Sequence, residues 1–254
     1  MKNLLITLLV ALNLISCATP NCDRMHENWS QLFHSHNQTI LPLKSFVKVT
    51  ILLKVEDKIV PAGSGSGFFI SKNKIVTARH VCDKKIGDHG SEDIPEMPPG
   101  EDVLEELPEI DILFSVDTYK GDEYKVKVYK ISPDVDLCML ELEEDPLDIE
   151  ILKLSPIPPK IGEKVYNFAA PHGFSTTNMV PIFEGFYSGD VICDLIRNRC
   201  SIYTIPIKGG SSGSPVLTEH GEVIGVVFAG DTRFHEIAFS ATYNQLRLFI
   251  KDEI

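Results

Sequence analysis

Residues 207–216 read IKGGSSGSPV, two glycines and two serines followed by Gly213-Ser214-Pro215 and a strand-like run. Glycine allows turns that other residues refuse, at a cost in order. A plain Gly/Ser linker would not lead at once into SPVL (214–217) and a second apolar run, EVIGVVFAG (222–230). The stretch therefore reads as a shaped loop that presents Ser212. A serine hydroxyl is a weak nucleophile unless a base takes its proton and a carboxylate orients that base. KIVTARHVC (74–82) sets His80 directly after an apolar strand, and SPDVDLCMLEL (132–142) sets Asp136 at the start of another. Asp134 is the neighbouring candidate, but only Asp136 directly precedes the apolar run. Side chains at strand ends sit on a rigid scaffold that can aim them at one point.

The texture around these residues is short and β-rich. SFVKVTILLKV (45–55), GSGFFIS (65–71), KIVTA (74–78), DILFSVDTY (111–119), EYKVKVYKI (123–131) and DLCMLEL (136–142) form one set. After the proline-rich LSPIPPKIG come EKVYNFAA (163–170), PIFEGFYSGDVIC (181–193), CSIYTIPI (200–207), SPVLTE (214–219) and EVIGVVFAG (222–230). Such runs between turn residues predict an all-β fold. Two consecutive β units are expected, about 44–150 and about 155–240, joined near Pro156–Lys160. Only YNQLRLFIKDEI has helical spacing, with Leu246, Phe249 and Ile250 on one side, which predicts a helix over about 242–252. The acidic, proline-rich stretch from Asp83 to Glu109 lacks strand texture and reads as a surface insertion. Its carboxylate spacing matches no dedicated calcium loop.

The formal net charge of -12 over 254 residues disfavours nucleic acid and anionic membrane surfaces as partners. The first residues, MKNLLITLLVALNLISC, join Lys2 to an apolar run from Leu4 to Ile15, too short to span a bilayer and placed where an export signal sits. Residues 1–16 are read as a signal peptide, and Leu14-Ile15-Ser16-Cys17 resembles a bacterial lipobox, with Cys17 as the lipidated residue. Cleavage after Ala18 is the alternative, because Ser16 and Ala18 also fit a small-x-small site. Residues 17–43 are polar and suit a tether. His26, His34 and His36 lie there without a completing cysteine or carboxylate motif, so no metal site is expected. The location expected is the cell envelope or the exterior, with membrane contact only through a lipid anchor. Export permits disulfides among the six cysteines. Cys193 and Cys200 bracket DLIRNR between two strands, which suits a cross-hairpin bridge or else two buried thiols.

His80 in TARHV, Asp136 in DLCML and Ser212 in GGSSGSP resemble the three motifs of chymotrypsin-fold (trypsin-like) serine proteases, in that family's order. GSGSGFFISKNKIVTARHV and GEVIGVVFAG are similar to the strands flanking those motifs in the glutamyl endopeptidase and HtrA-like branch, from about Ser45 to Phe249. The resemblance implies two six-stranded antiparallel β-barrels with the site between them. It implies Ser212 as nucleophile, His80 as base and then acid, and Asp136 as its orienter. The amides of Gly210 and Ser212 would form the oxyanion hole. Cys82 and Cys138 lie two residues beyond His80 and Asp136 and can meet if those residues do, which would leave Cys22 unpaired. Val227, Phe228 and Ala229 would edge the primary pocket, and Val227 stands where glutamyl endopeptidases keep a histidine. The pocket wall thus lacks a charge, and a small or medium apolar side chain before the cut is expected. His172, in APHGFS, is expected on the surface near the cleft. Ser211 replaces the aspartate that pairs with a freed amino terminus in trypsin-like members, so that activation route is not expected. The chain ends soon after the final helix, leaving no room for the PDZ domain of many HtrA-like proteases. The function expected is an exported serine endopeptidase, monomeric and without cofactor, acting on protein or peptide substrates. A catalytically idle barrel that binds a peptide or partner protein is the alternative.

Overall fold

A computed structural model describes residues 40–83, 110–193, 198–231 and 233–253. The export signal, Cys17, Cys22, the three amino-terminal histidines and residues 84–109 of the acidic insertion lie outside the described residues. Strands β1 (Phe46–Val55), β2 (Lys58–Phe69), β3 (Lys74–Thr77), β4 (Ile110–Thr118), β5 (Glu123–Ile131) and β6 (Cys138–Leu142) close into one barrel in the order β1-β2-β3-β6-β5-β4. A second barrel closes as β10-β11-β12-β9-β8-β7 from β7 (Lys164–Phe168), β8 (Ile182–Cys193), β9 (Asn198–Tyr203), β10 (Pro215–Leu217), β11 (Val223–Gly230) and β12 (Ala238–Ala241). The strand pairs are antiparallel. Helix α1 (Arg79–Cys82) follows β3, and helix α2 (Tyr243–Ile250) follows β12. The fold is the double barrel that the three motifs imply.

Two strands depart from the sequence reading for physical reasons. β2 begins at Lys58 rather than near Gly65, running through Pro61 and the glycines because β1 supplies a hydrogen-bonded partner along its whole length. The register shifts between Ile51 and Leu52, where Gly63 and then Pro61 face β1, so Ala62 is passed over as a bulge. β12, AFSA, has small residues of low strand propensity, and its pairing with β11 and β9 makes it a strand. Helix α2 is fixed at its start by a capping box: Gln245 N–H donates to the Thr242 hydroxyl at 3.3 Å, and the Gln245 side chain accepts from Thr242 N–H at 2.7 Å.

The apolar core joins the two barrels. One cluster combines Phe46, Phe68, Leu137 and Met139 with Phe168, Leu217, Val226 and the α2 residues Leu246, Phe249 and Ile250. A second places Ala78, Val81, Cys82 and Cys138 of the first barrel with Cys193, Cys200 and Phe228 of the second. Both Cys82–Cys138 and Cys193–Cys200 are disulfides, and both lie in this second cluster. At the far end of α2, the Glu253 carboxylate pairs with Lys74 at 2.6 Å and Lys130 at 3.8 Å, tying the carboxyl-terminal segment to the first barrel. Among the described residues no helix is long and apolar enough to cross a membrane.

Candidate active site

His80 is the second residue of α1, a four-residue turn that begins as soon as β3 ends. Asp136 lies in the loop directly before β6, the strand paired with β3, so adjacent strands deliver the two residues. Asp136 uses both oxygens on one neighbour: Oδ1 accepts the His80 backbone N–H at 3.0 Å, and Oδ2 faces His80 Nδ1 at 2.8 Å. A carboxylate can only accept, so the proton of that contact sits on Nδ1 and Nε2 is left as the basic nitrogen. The loop carrying Asp136 is itself held, because the Arg79 guanidinium donates to the carbonyls of Ser132 (3.3 Å) and Pro133 (3.0 Å). From the second barrel, the Asn198 amide donates to the Asp134 carbonyl at 3.1 Å. Asp134 offers only that carbonyl, and its side chain is exposed.

The Ser212 loop is docked onto the first barrel by its backbone. The Ser212 carbonyl accepts from Ser66 N–H on β2 at 2.7 Å, and Gly213 N–H donates to Val227 on β11 at 2.7 Å. Gly213 has φ +90, and a Cβ there would lie 2.0 Å from the Ser66 carbonyl, 2.2 Å from Thr77 Oγ1 and 2.9 Å from Ala78 N. That close approach seats the serine loop against the end of β3 and against Ala78, two residues ahead of His80. The Ser212 hydroxyl makes a long contact of 3.4 Å to the Phe228 carbonyl.

A peptide's carbonyl and N–H point in opposite directions, so anchoring one aims the other. The Gly209 carbonyl accepts from His172 N–H at 2.6 Å and the Ser211 carbonyl from Ser214 N–H at 3.1 Å. These contacts turn the amides of Gly210 and Ser212 away from their anchors, and neither donates to an acceptor among the described residues. Two N–H groups left without an acceptor beside a serine are the kind of donor that an oxyanion hole requires. Gly210 has φ +92 and a Cβ would sit 2.5 Å from the Ala170 carbonyl, so the loop admits no side chain there. His172 is exposed, as expected, and it is its backbone, at φ 52 and ψ 29, that touches this loop.

Ser66 escaped the sequence reading because a serine between glycines carries no distinguishing pattern. Wholly buried, its hydroxyl donates to the Gly210 carbonyl at 2.8 Å and accepts from Ala170 N–H at 2.9 Å, joining the oxyanion loop to the segment before His172. Ser66→Ala is expected to lower stability by about 2 kcal/mol, since it strands a buried N–H. It is also expected to slow turnover about tenfold by loosening Gly210; a melting curve and kcat on one peptide check both.

A cavity of about 320 Å³ opens beside Ser212, lined by Ile207, Lys208, Gly209, Ala229, Gly230, Asp231 and His235. Of the three residues expected to edge the pocket, Ala229 does so. Val227 and Phe228 are buried in the core, and Phe228 meets Ser212 through its carbonyl. The expectation of an uncharged wall is corrected by Lys208, Asp231 and His235, which loops bring in from outside the aligned strand. Ser211 is buried where an ion-pairing aspartate would stand, and it closes a local turn instead: its N–H donates to the Lys208 carbonyl at 2.9 Å, and its hydroxyl accepts from Lys208 N–H at 3.3 Å. Among the described residues no group of three or more His, Cys, Asp or Glu side chains is placed to hold a metal.

Two closed six-stranded antiparallel barrels define the trypsin-like architecture; the first carries the His80–Asp136 pair and the second carries the loop of Ser212. The family described as "Trypsin-like peptidase domain" matches residues 65–226, more than half of the chain, and the chain belongs to it. Mitochondrial Do-like 12 of Arabidopsis thaliana, provisionally named a protease, is 28% identical over 216 residues, which is 80% of this chain and 38% of that protein. The chain thus spans 38% of that relative's length. The active form of the Rv3671c protease from M. tuberculosis superimposes with a TM-score of 0.59 at 18% identity, covering 83% of this chain and 81% of that one. Its inactive form, with the serine replaced by alanine, gives 0.57 at 18% identity over 83% and 87% of the two chains. At that identity these two structures share the fold.

Proposed function

We propose that this protein is an exported serine endopeptidase that cleaves protein or peptide substrates through an acyl-enzyme, with Ser212 as nucleophile, His80 as general base and acid, and Asp136 as orienter. The observation that carries the reading is the two-point grip of Asp136 on His80, at 3.0 and 2.8 Å, beside a serine loop that a glycine seats against the end of β3. His80 Nε2 takes the Ser212 proton as Oγ bonds to the scissile carbonyl, and the amides of Gly210 and Ser212 receive the developing oxyanion. The imidazolium, held by Asp136, returns the proton to the leaving amine. Water then enters by the same route and releases the acid. Export is supported by the apolar leader ending at Cys17 and by two disulfides, which persist in oxidising compartments. The test of the serine chemistry is a fluorophosphonate followed by peptide mapping. Label at Ser212 that disappears in His80→Ala is expected. A folded protein that stays unlabelled would leave a peptide-binding barrel as the better reading.

A further inference from the structure

We propose that the cavity beside Ser212 selects an acidic residue, glutamate or aspartate, immediately before the scissile bond, with Lys208 and His235 as the residues that recognise its carboxylate. The inference rests on the peptidase reading and names the substrate class of that site. Lys208 lies four residues before Ser212 and lines the cavity with an exposed side chain that makes no ion pair among the described residues. His235 faces the same cavity from the loop between β11 and β12. Its carbonyl accepts from Ile207 N–H at 3.1 Å, so the two segments that present the imidazole and the ammonium are hydrogen-bonded side by side.

The cavity's one carboxylate is already engaged. Asp231 Oδ1 accepts from the N–H groups of Arg233 (2.8 Å) and Phe234 (3.1 Å), and Oδ2 pairs with the Arg233 guanidinium at 3.3 Å. Arg233 beside it holds the Asp231 carboxyl below the usual carboxylate range, so it stays charged and balanced by its own partner. Glu236 is exposed one residue beyond His235 and is not part of the lining. The unbalanced charge of the cavity is therefore positive. A basic side chain would meet Lys208 with no free carboxylate to receive it, and an apolar one would gain only Ile207 and Ala229. Gly230 keeps the mouth open, since a Cβ there would lie 2.7 Å from the Ile207 side chain. Val227 is fully buried here, so the recognising residues Lys208 and His235 come from the loops and not from that strand position.

The test uses the full chain and a peptide series that differs only in the residue before the cut: Glu, Asp, Val, Phe or Lys. The expected result is a kcat/KM for Glu or Asp at least about tenfold above that for Val. Lys208→Gln should remove about tenfold from the acidic substrates and leave Val within about twofold, and Lys208→Glu should favour Lys. An active enzyme that prefers Val, Phe or Lys, or a Glu preference untouched by Lys208→Gln, would overturn the inference while the peptidase reading stands. A second arm measures binding of the same fluorescent peptides to Ser212→Ala by anisotropy. If Ser212 takes no fluorophosphonate and no peptide is cut, the peptidase reading falls. In that case a Lys208-dependent preference for the Glu peptide supports the carboxylate pocket, and equal binding of all peptides removes it.

Discussion

Ser212→Ala is expected to lower kcat on any cleaved peptide by about 10⁶-fold, and His80→Ala by a similar factor, because the two act as one unit. Asp136→Asn is expected to cost about 10⁴-fold. The reason lies in how Asp136 is used. Both of its oxygens accept, one from the His80 backbone and one from Nδ1. An asparagine has one acceptor and one donor in their place. Either its amino group faces the backbone N–H, or it faces Nδ1 and forces the ring proton onto Nε2, where it blocks the base. All three variants should keep the wild-type far-ultraviolet spectrum, since none removes core volume. Single-turnover kinetics would locate the loss in acylation. Activity within tenfold of wild type for Ser212→Ala would remove the proposed mechanism.

Gly213→Ala is the substitution expected to damage the fold most. The new methyl group would arrive within 2.0 Å of the Ser66 carbonyl and 2.2 Å of Thr77 Oγ1, at a backbone φ of +90. Neither neighbour has room to yield, for Ser66 and Thr77 are both buried and the Thr77 hydroxyl donates to the Ser66 carbonyl at 2.8 Å. The left-handed conformation alone costs a non-glycine residue about 1–2 kcal/mol, and the overlap with backbone brings the expected loss to about 4 kcal/mol. At roughly 2–4 °C per kcal/mol for a domain of this size, that is a fall of about 10 °C in Tm. Calorimetry of the variant beside Gly209→Ala provides the contrast, because a Cβ at 209 meets nothing within 4 Å. Equal melting temperatures would refute the packing argument.

Residues with a strong local pattern were legible in the sequence. EYKVKVYKI alternates as β5 does, and YNQLRLFIKDEI shows the helix through Leu246, Phe249 and Ile250 on one side, all three buried. The histidine, aspartate and serine motifs were legible because each sits at the end of an apolar run. The missed features are those that only contact defines. AFSA becomes β12 through its neighbours, KIVPAG becomes strand because β1 pairs with it, and Ser66 gains its role from partners 104 and 144 residues away in sequence. The charge of the pocket was misread for the same reason. Alignment with the strand pointed to Val227, Phe228 and Ala229, of which Ala229 lines the cavity, whereas the charged lining side chains come from the loops that approach it.

The hydrophobic clusters run across the boundary between the barrels, and the serine loop hangs by its main chain from β2. Neither barrel can melt while the other survives intact, because part of each shared cluster would be thrown into water. Denaturant should accordingly erase enzyme activity, tryptophan-independent near-ultraviolet signal and far-ultraviolet signal along one coincident curve. An isolated half of the chain, expressed alone, would carry an uncovered apolar face in place of a partner and would be recovered as aggregate.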